Sequence, residues 1–566
     1  MSNAHYFFSL QYSAIQKTVL RQDRLWSIAG ISQMLSQINE IDLPQIVQDH
    51  AGITLVAGGG KFTARFDNKN DAENSSDAII KAVATALPML EFQYTDIIKA
   101  VGLQDAKKNH NLIDRLSEGK RRFRGYGVSF NPHLMLCAEC GEYPAVENHF
   151  MPKKKQPFCA VCHAAYKARP VLHKIQQTGV AKTTNQEIYA RYLAMVSNGD
   201  TPMLPMDFQD LFSKKQDQED ANIDNRPEDE RRRMAVWFSD INNMNTKVPI
   251  WLSQDDKELR GIFGKVKDAA ISVVADALAE VFPKSAWHKD AREINLDAPD
   301  KEFESDEDDD RQSPSQLWLP FRLIVAGGDD LCIVMAEEYI LSFASAMSAK
   351  LMDYKNKIQE DTDSPLSDEW LAAHREQGRA GKEPGSYSFG ASFVVTAMHT
   401  PFKKIHELGE HLMSQAKQRS DRKGNSVNWQ ILSADERADA QPLFKVEKPL
   451  FIEHDDQGRD GKLDGCLPFN RYVRLCRFYA GQLSNSQRQK IVDSLTCHAE
   501  DAEKVEADLK KTAVSGLEKG VRLLLVDEHF RNKSGKLDCP KIAAMLELMT
   551  IKETKDDHKN KGAQHD

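Results

Sequence analysis

Three aspartates and four cysteines are the side chains in this sequence best placed to do chemistry. Asp329 and Asp330 close the run Gly327-Gly328-Asp329-Asp330, which separates two apolar stretches, Leu323–Ala326 and Leu331–Met335. Such stretches read as buried strands joined by a tight turn, where glycine lets the backbone bend and approach a ligand closely. Neighbouring carboxylates repel unless a cation shares them, and hard oxygen donors suit Mg²⁺ or Mn²⁺ carrying phosphates. A third aspartate, Asp240, ends the apolar-aromatic run Val236-Trp237-Phe238-Ser239. If the two runs pair, Asp240, Asp329 and Asp330 form the trio that a two-metal nucleotidyl-transfer centre needs. There the metals lower the pKa of an attacking hydroxyl and neutralise the triphosphate as pyrophosphate leaves. Gly327 and Gly328 let phosphates lie against the main chain. Lys417, at the end of a predicted helix, either reaches a triphosphate or is a solvated helix-end lysine. A solvated aspartate turn is the plain alternative for the tip.

Cys137-x₂-Cys140 and Cys159-x₂-Cys162, with eighteen residues between the pairs, match a four-thiolate structural zinc site with no position left for water. His149 and His163 lie near enough in sequence to replace one cysteine. Lys107-Lys108, Arg115 and Lys120-Arg121-Arg122-Phe123-Arg124 make a basic stretch with an aromatic inside it. Contact with an RNA backbone and an exposed charged helix and loop are equally good readings of it. The His-Asp dipeptides, His454-Asp455 and His565-Asp566, fall in a Gly/Asp-rich loop and at the terminus, so a hydrolytic His-Asp centre is not expected.

The elements that must position these groups occur twice. His5–Leu10 reads as a strand, Leu25–Leu35 as a helix, Ile53–Phe62 as a strand, glycine turn and strand, and the stretch around Ile80–Leu87 as a helix. Val236–Asp240, a helix carrying Val266, Ala270, Val273, Ala277 and Val281, the Gly-Gly-Asp-Asp hairpin, and a helix carrying Ile340, Phe343, Met347 and Leu351 repeat that order. Leu55-Val56-Ala57-Gly58-Gly59 matches Ile324-Val325-Ala326-Gly327-Gly328, and Phe8-Ser9 matches Phe238-Ser239. This alignment sets Leu10 against Asp240, and Gly60-Lys61 against Asp329-Asp330. One lobe then carries three carboxylates and the other none. A strand over Ser388–Met398, a helix over Lys404–Arg419 and a strand over Val427–Leu432 follow, and the chain is helical from Pro468 to about Thr550. Lys214–Arg232 and Gln359–Pro384 read as polar linkers, and Lys552–Asp566 as a frayed end.

The chain has 566 residues, 41% hydrophobic and 28% charged, the composition of an ordinary globular protein of roughly two to four domains. No apolar run reaches the roughly 18 residues of a membrane span, and no signal peptide is legible, so a cytoplasmic protein with no membrane partner is expected. Nine cysteines, four in a metal-like pattern, fit a reducing compartment. The net charge of −9 is mostly local. Asp300–Asp310 holds eight acidic residues and one lysine within a stretch, near 297–315, that reads as a disordered loop, so the total does not exclude a nucleic-acid partner.

Taken in order, Arg21-Gln22-Asp23-Arg24-Leu25-Trp26 through Ser32, the four cysteines, Ser239-Asp240-Ile241-Asn242-Asn243-Met244-Asn245 and Gly327-Gly328-Asp329-Asp330 resemble the large subunit of type III CRISPR RNA-guided effector complexes, of the Cmr-like branch. The resemblance covers most of the chain. It implies an α+β fold with two ferredoxin-like palm domains of the nucleotide cyclase and polymerase type, a zinc-binding module between them and an α-helical C-terminal domain. The corresponding spans are 1–130, 131–230, 231–450 and 451–566. It further implies an antiviral defence enzyme that makes cyclic oligoadenylate from ATP when target RNA is recognised, with guide RNA and other type III subunits as partners. By position, Asp240, Asp329 and Asp330 would be catalytic and hold Mg²⁺ or Mn²⁺. Gly58, Gly59, Gly60, Ser239, Ile241 (through its carbonyl), Gly327, Gly328 and Lys417 would contact nucleotide. Two departures stand out. The family's usual second aspartate is Asn242 here. The first palm begins within about ten residues of Met1, so the HD nuclease domain of many members is not expected. A catalytically silent scaffold, or a diguanylate-type cyclase or polymerase, are the competing readings.

Overall fold

The structure is a computed structural model; it describes residues 4–13, 15, 19, 24–58, 60–88, 90–108, 122–123, 135–146, 157–176, 181–212, 232–289, 317–327, 329–361, 364–375, 387–420, 422, 424–432, 450–451, 469–498, 501–514, 519–527, 530, 536 and 538–551. The expected acidic loop, both His-Asp dipeptides, His149, Arg115, Lys120–Arg121, Arg124, Arg21–Asp23, Gly59, Gly328 and all but the last residue of the first linker lie outside them.

Two six-stranded sheets carry the α+β architecture. In lobe 1, β1 (His5–Ser13) is followed by α1 (Leu25–Gln37), the hairpin β2 (Ile53–Gly58) and β3 (Lys61–Phe66), α2 (Lys69–Ala86), then β4 (Glu91–Tyr94), β5 (Ile98–Ala100) and β6 (Arg122–Phe123). The strand order is β2-β3-β1-β4-β6, with β5 also on β1. Alternation along β1 sends Phe8, Leu10 and Tyr12 into one core while Phe7 enters another. Asn68 starts α2 by accepting from the Asn70 N–H, 2.9 Å.

Between the lobes lie α3 (Ala160–Ala168) and α4 (Thr184–Val196). Lobe 2 then runs β7 (Arg233–Ile241), α5 (Met244–Trp251), α6 (Asp256–Val281), the short pair β8 (His288–Lys289) and β9 (Leu317–Trp318), the hairpin β10 (Phe321–Gly327) and β11 (Asp330–Ala336), α7 (Ile340–Glu360), β12 (Phe389–Ala397), α8 (Phe402–Arg419), β13 (Ser426–Ile431) and β14 (Leu450–Phe451). Its order is β10-β11-β7-β12-β13-β14, with β12 buried along its whole length. In both lobes the first strand lies between the second hairpin strand and the strand after the second long helix, antiparallel to each.

The duplication is therefore a matter of register, and the register corrects the alignment drawn from sequence. Asp240 lies opposite Asp330, and Asp330 opposite Gly327; Lys61 lies opposite Gly58 and opposite Gln11. The counterpart of Asp240 is Gln11, not Leu10. A slip of one residue would have turned Leu10 out of its core. Each hairpin also carries an irregularity at the same place, between Thr54 and Val56 and between Leu323 and Val325. The lobes exchange helices: α1 packs on β10, and α6 packs on β2.

The second expected linker carries a helix. Ser367 caps a helix over Asp368–Ala373 by accepting from the Trp370 N–H, 3.1 Å, which the polar composition had hidden. At the end of the chain, helices over Phe469–Ala480, Asn485–Cys497, Ala502–Val514, Lys519–Val526 and Cys539–Leu548 pack onto lobe 2, with the Phe469 ring 5.6 Å from Trp429 and 6.1 Å from Phe393. Among the described residues no helix is long and apolar enough to cross a membrane.

Candidate functional site

Strand register does most of the work of assembly. Because β7 and β11 are antiparallel neighbours, Asp240 and Asp330 face each other across one rung at the turn end of the hairpin. Asp329 occupies the turn, its carbonyl accepting from the Ile241 N–H at 3.2 Å and its own N–H donating to Gly327 O at 2.7 Å. A side chain at Gly327 would meet nothing within 4 Å, so the main chain there is open to a ligand.

The carboxylates are held at a cost. Burial, then the Asp240 charge, pushes Asp329 up to about 6. Asp330 itself stands exposed at the strand end, and crowding by protein atoms, then the charges of Asp329, Asp240 and Glu410, push it well above the usual carboxylate range. Gathered carboxylates that repel one another fit a site that receives a cation. Lys417 is 6% exposed, and its ammonium donates to Asp240 Oδ2. Its stem crosses Gly390, the residue opposite Asp240 on β12; a Cβ there would lie 2.2 Å from Lys417 Cγ. Glycine at 390 is what lets the lysine reach the strand end.

Beneath the tip is a solvent-open pocket walled by Ala269, Ala270, Val273 and Val274 of α6, Met347 and Leu351 of α7, and Tyr387 with Phe389. Ser239 and Ile241 also line it. The Ser239 hydroxyl is already engaged, accepting from the Trp237 indole at 3.0 Å. Asn242, the departure from the family pattern, is fully buried and turned into the fold. Its side-chain amide donates to Ser388 Oγ at 3.0 Å and Gly424 O at 3.2 Å, and its main-chain carbonyl accepts from Lys247 Nζ at 2.8 Å.

The cysteines form a second site. Among the described residues they are the one set of three or more metal-ligating side chains whose donor atoms all lie within 4.8 Å of one another. The carboxylates are less closely gathered, with Asp240 held by Lys417. Glu139 N–H points at Cys137 Sγ, 3.4 Å, and Cys162 N–H at Cys159 Sγ, 3.3 Å, the knuckle geometry that favours thiolates. Hydrogen bonds among the four lower the Cys137 thiol and raise those of Cys159 and Cys162, so the cluster shares its protons as a unit. Four such sulphurs fit a tetrahedral zinc ion. His163 is not part of the set.

In lobe 1, Gly60 takes φ +72° and Gly58 has open space around it. Two residues beside the carboxylates escaped the sequence reading. Glu410 lies two turns before Lys417 on α8, a spacing that puts both on one face. Gly390 interrupts an otherwise continuous buried strand, a signal of close approach.

No family model matches the chain, and no curated protein does. Solved structures of similar fold include a Csm1–Csm4 cassette in complex with cA4 (13% identity, TM-score 0.47, 97% of this chain and 70% of that chain). They also include the cassette in complex with pppApA (13%, 0.43, 98% and 70%) and Csm1 in T.onnurineus (12%, 0.43, 97% and 70%). The structures to which this chain is similar are thus of Csm1, alone or with Csm4.

Proposed function

We propose that the chain is the large subunit of a type III CRISPR effector complex, of the Cmr-like branch, that joins ATP into cyclic oligoadenylate when target RNA is bound. The observation that carries the reading is the rung placing Asp240 opposite Asp330, beside Asp329 at the hairpin tip, with Lys417 on Asp240. Two ferredoxin-like palms account for the repeated strand order, the second being the competent one.

Asp240, Asp329 and Asp330 would hold Mg²⁺ or Mn²⁺, which when bound activates a ribose 3′-hydroxyl and screens the triphosphate. The chain's own groups do the positioning. The pocket between α6, α7 and the sheet takes the base, its small Ala269 and Ala270 leaving room for a flat ring and its apolar walls excluding water. Gly327 admits the phosphates to the main chain, and the Lys417 ammonium lies one side chain away from them. The new O3′–Pα bond forms as the bond to pyrophosphate breaks. The four cysteines would hold structural zinc, and guide RNA, target RNA and the other effector subunits would be the partners.

Incubating the chain, assembled with guide RNA and its subunits, with labelled ATP, Mn²⁺ and target RNA tests the reading. Cyclic oligoadenylate that disappears in Asp329→Ala/Asp330→Ala is the expected result. No product under any condition favours the scaffold reading, and product from GTP without RNA favours a diguanylate-type cyclase.

A further inference from the structure

The ammonium of Lys417 already stands on one of the carboxylates that a divalent ion would use, donating to Asp240 Oδ2. The contact is built into the sheet. β12 is buried along its whole length, and Gly390 lies opposite Asp240 on it. An added Cβ there would come 2.2 Å from Lys417 Cγ, 3.0 Å from Cε and 3.2 Å from Cδ, so the lysine stem runs over the glycine along three of its carbons. Only a residue without a side chain leaves that track open. The backbone behind the lysine is held as well. Arg422, in a left-handed turn at φ +57°, donates its N–H to the Lys417 carbonyl at 3.1 Å, and its own carbonyl accepts from Asn243 Nδ2 at 3.2 Å. The origin of the side chain is therefore fixed, and its head is the part free to change partners.

The two partners differ in their access to water. The Asp240 side chain is 26% exposed and that of Lys417 only 8%. A hydrated ion can reach Asp240, whereas an ammonium displaced from it has little water to turn to. Leaving a buried charge without its partner is far less favourable than exchanging one partner for another. A metal ion arriving alone faces that penalty. One arriving with a polyphosphate does not, because phosphate oxygens offer the ammonium a new charge-assisted contact. We propose that Lys417 and the divalent ion compete for Asp240, so that the ion binds firmly only together with a polyphosphate that takes the ammonium over. The proposal rests on the reading of the three aspartates as a metal-dependent nucleotide site and adds an order to it: metal and triphosphate enter together. An idle site then holds no loose metal, and Gly390 is the residue that makes the competition possible.

The test is equilibrium dialysis of the zinc-loaded full chain against Mn²⁺, with and without inorganic tripolyphosphate, compared at equal free Mn²⁺. Wild type should bind Mn²⁺ weakly alone and about tenfold or more tightly with tripolyphosphate, the scale of one charge-assisted contact. Lys417→Met should bind Mn²⁺ alone about tenfold or more tightly than wild type and gain little from tripolyphosphate. Lys417→Arg, which keeps a cation on Asp240, should stay weak. Adding Asp240→Asn to Lys417→Met should abolish the gain, which assigns it to this site. Gly390→Ala tests the same competition with the lysine still present: the added methyl pushes the stem off its track, and Mn²⁺ affinity should rise as in Lys417→Met. Tight binding by wild type without tripolyphosphate, unchanged or weaker binding in Lys417→Met or Gly390→Ala that circular dichroism shows to be folded, or a gain that survives Asp240→Asn each overturns the proposal. Absence of cyclic oligoadenylate from the assembled complex would sink the synthase reading and leave the dialysis result standing. Equal dialysis curves alongside normal synthesis would sink the competition alone.

Discussion

His406 lies on α8 with its ring edge-on to Phe238, centroids 5.3 Å apart, and its Nε2 is 3.7 Å from Glu410 Oε1. That separation is too long for a hydrogen bond, and burial decides the outcome, holding the imidazole down to about 4. The native state thus keeps His406 neutral while the unfolded chain protonates it near its ordinary value. Between those two values the unfolded state binds more protons, so stability falls as pH drops from about 6.5 to about 4. His406→Leu should remove this part of the acid sensitivity, on the order of 2 kcal/mol, with little effect at pH 8. Chemical denaturation of both proteins across that range checks it. Parallel curves would mean that His406 is protonated in the fold. The carboxylates nearby show why a residue's chemistry was easier to read than its company. Asp329 and Asp330 announced themselves as charge between apolar runs. Glu410 sits on a helix whose other exposed positions are just as polar, and only the docking of α8 on β7 selects it.

At the scale of elements, α1 is the piece whose role composition could not disclose. Ten of its residues, Leu25 to Met34, are buried, because it is covered on both sides. One side meets β10, and the other meets α3, where a Cβ on Gly30 would come 2.2 Å from the Ala165 carbonyl oxygen. Trp26 closes that contact, its ring 5.7 Å from Phe158 and 5.4 Å from Tyr166, beside the four cysteines. Period and capping made the strands and long helices legible, and the cysteine spacing made the four-cysteine cluster legible. That the cysteine module braces the helix supporting the second hairpin depends on tertiary contacts with no sequence period. Zinc binding should therefore be coupled to lobe packing. Stripping zinc with a chelator should lower the melting temperature and change Trp26 fluorescence. Gly30→Ala, whose added carbon meets backbone that cannot move aside, should cost about 1–3 kcal/mol with zinc still bound. A zinc-free chain that melts unchanged would show that the module is an appendage.

For the whole molecule, the question is what keeps two lobes of one design in a fixed relation. Their exchanged helices supply apolar area, and one polar clamp gives direction. α1 continues through a π-helical turn over Ile38–Asp42, which brings Glu40 to the start of α4. Glu40 Oε2 accepts from Thr184 N at 2.9 Å and Thr184 Oγ1 at 2.6 Å, and Lys267 Nζ of α6 stands 3.4 Å away, bridging to Glu187 at 3.3 Å. One carboxylate of lobe 1 thereby holds both the connecting helix and the first long helix of lobe 2. The Lys267 pairs are partly exposed and worth little by themselves. The Thr184 bonds are another matter, since they satisfy a buried helix-start N–H that has no partner within its own helix. Glu40→Ala should cost about 1–3 kcal/mol, and calorimetry should show lobe 1 melting ahead of lobe 2 instead of with it. Thr184→Ala loses the hydroxyl bond alone and keeps the main-chain N–H on Glu40, so it should cost less than Glu40→Ala, and the double variant should cost little more than Glu40→Ala by itself. Additive losses with a single transition throughout would place the coupling in the exchanged helices, and Glu40 would be a surface ligand of α4 only.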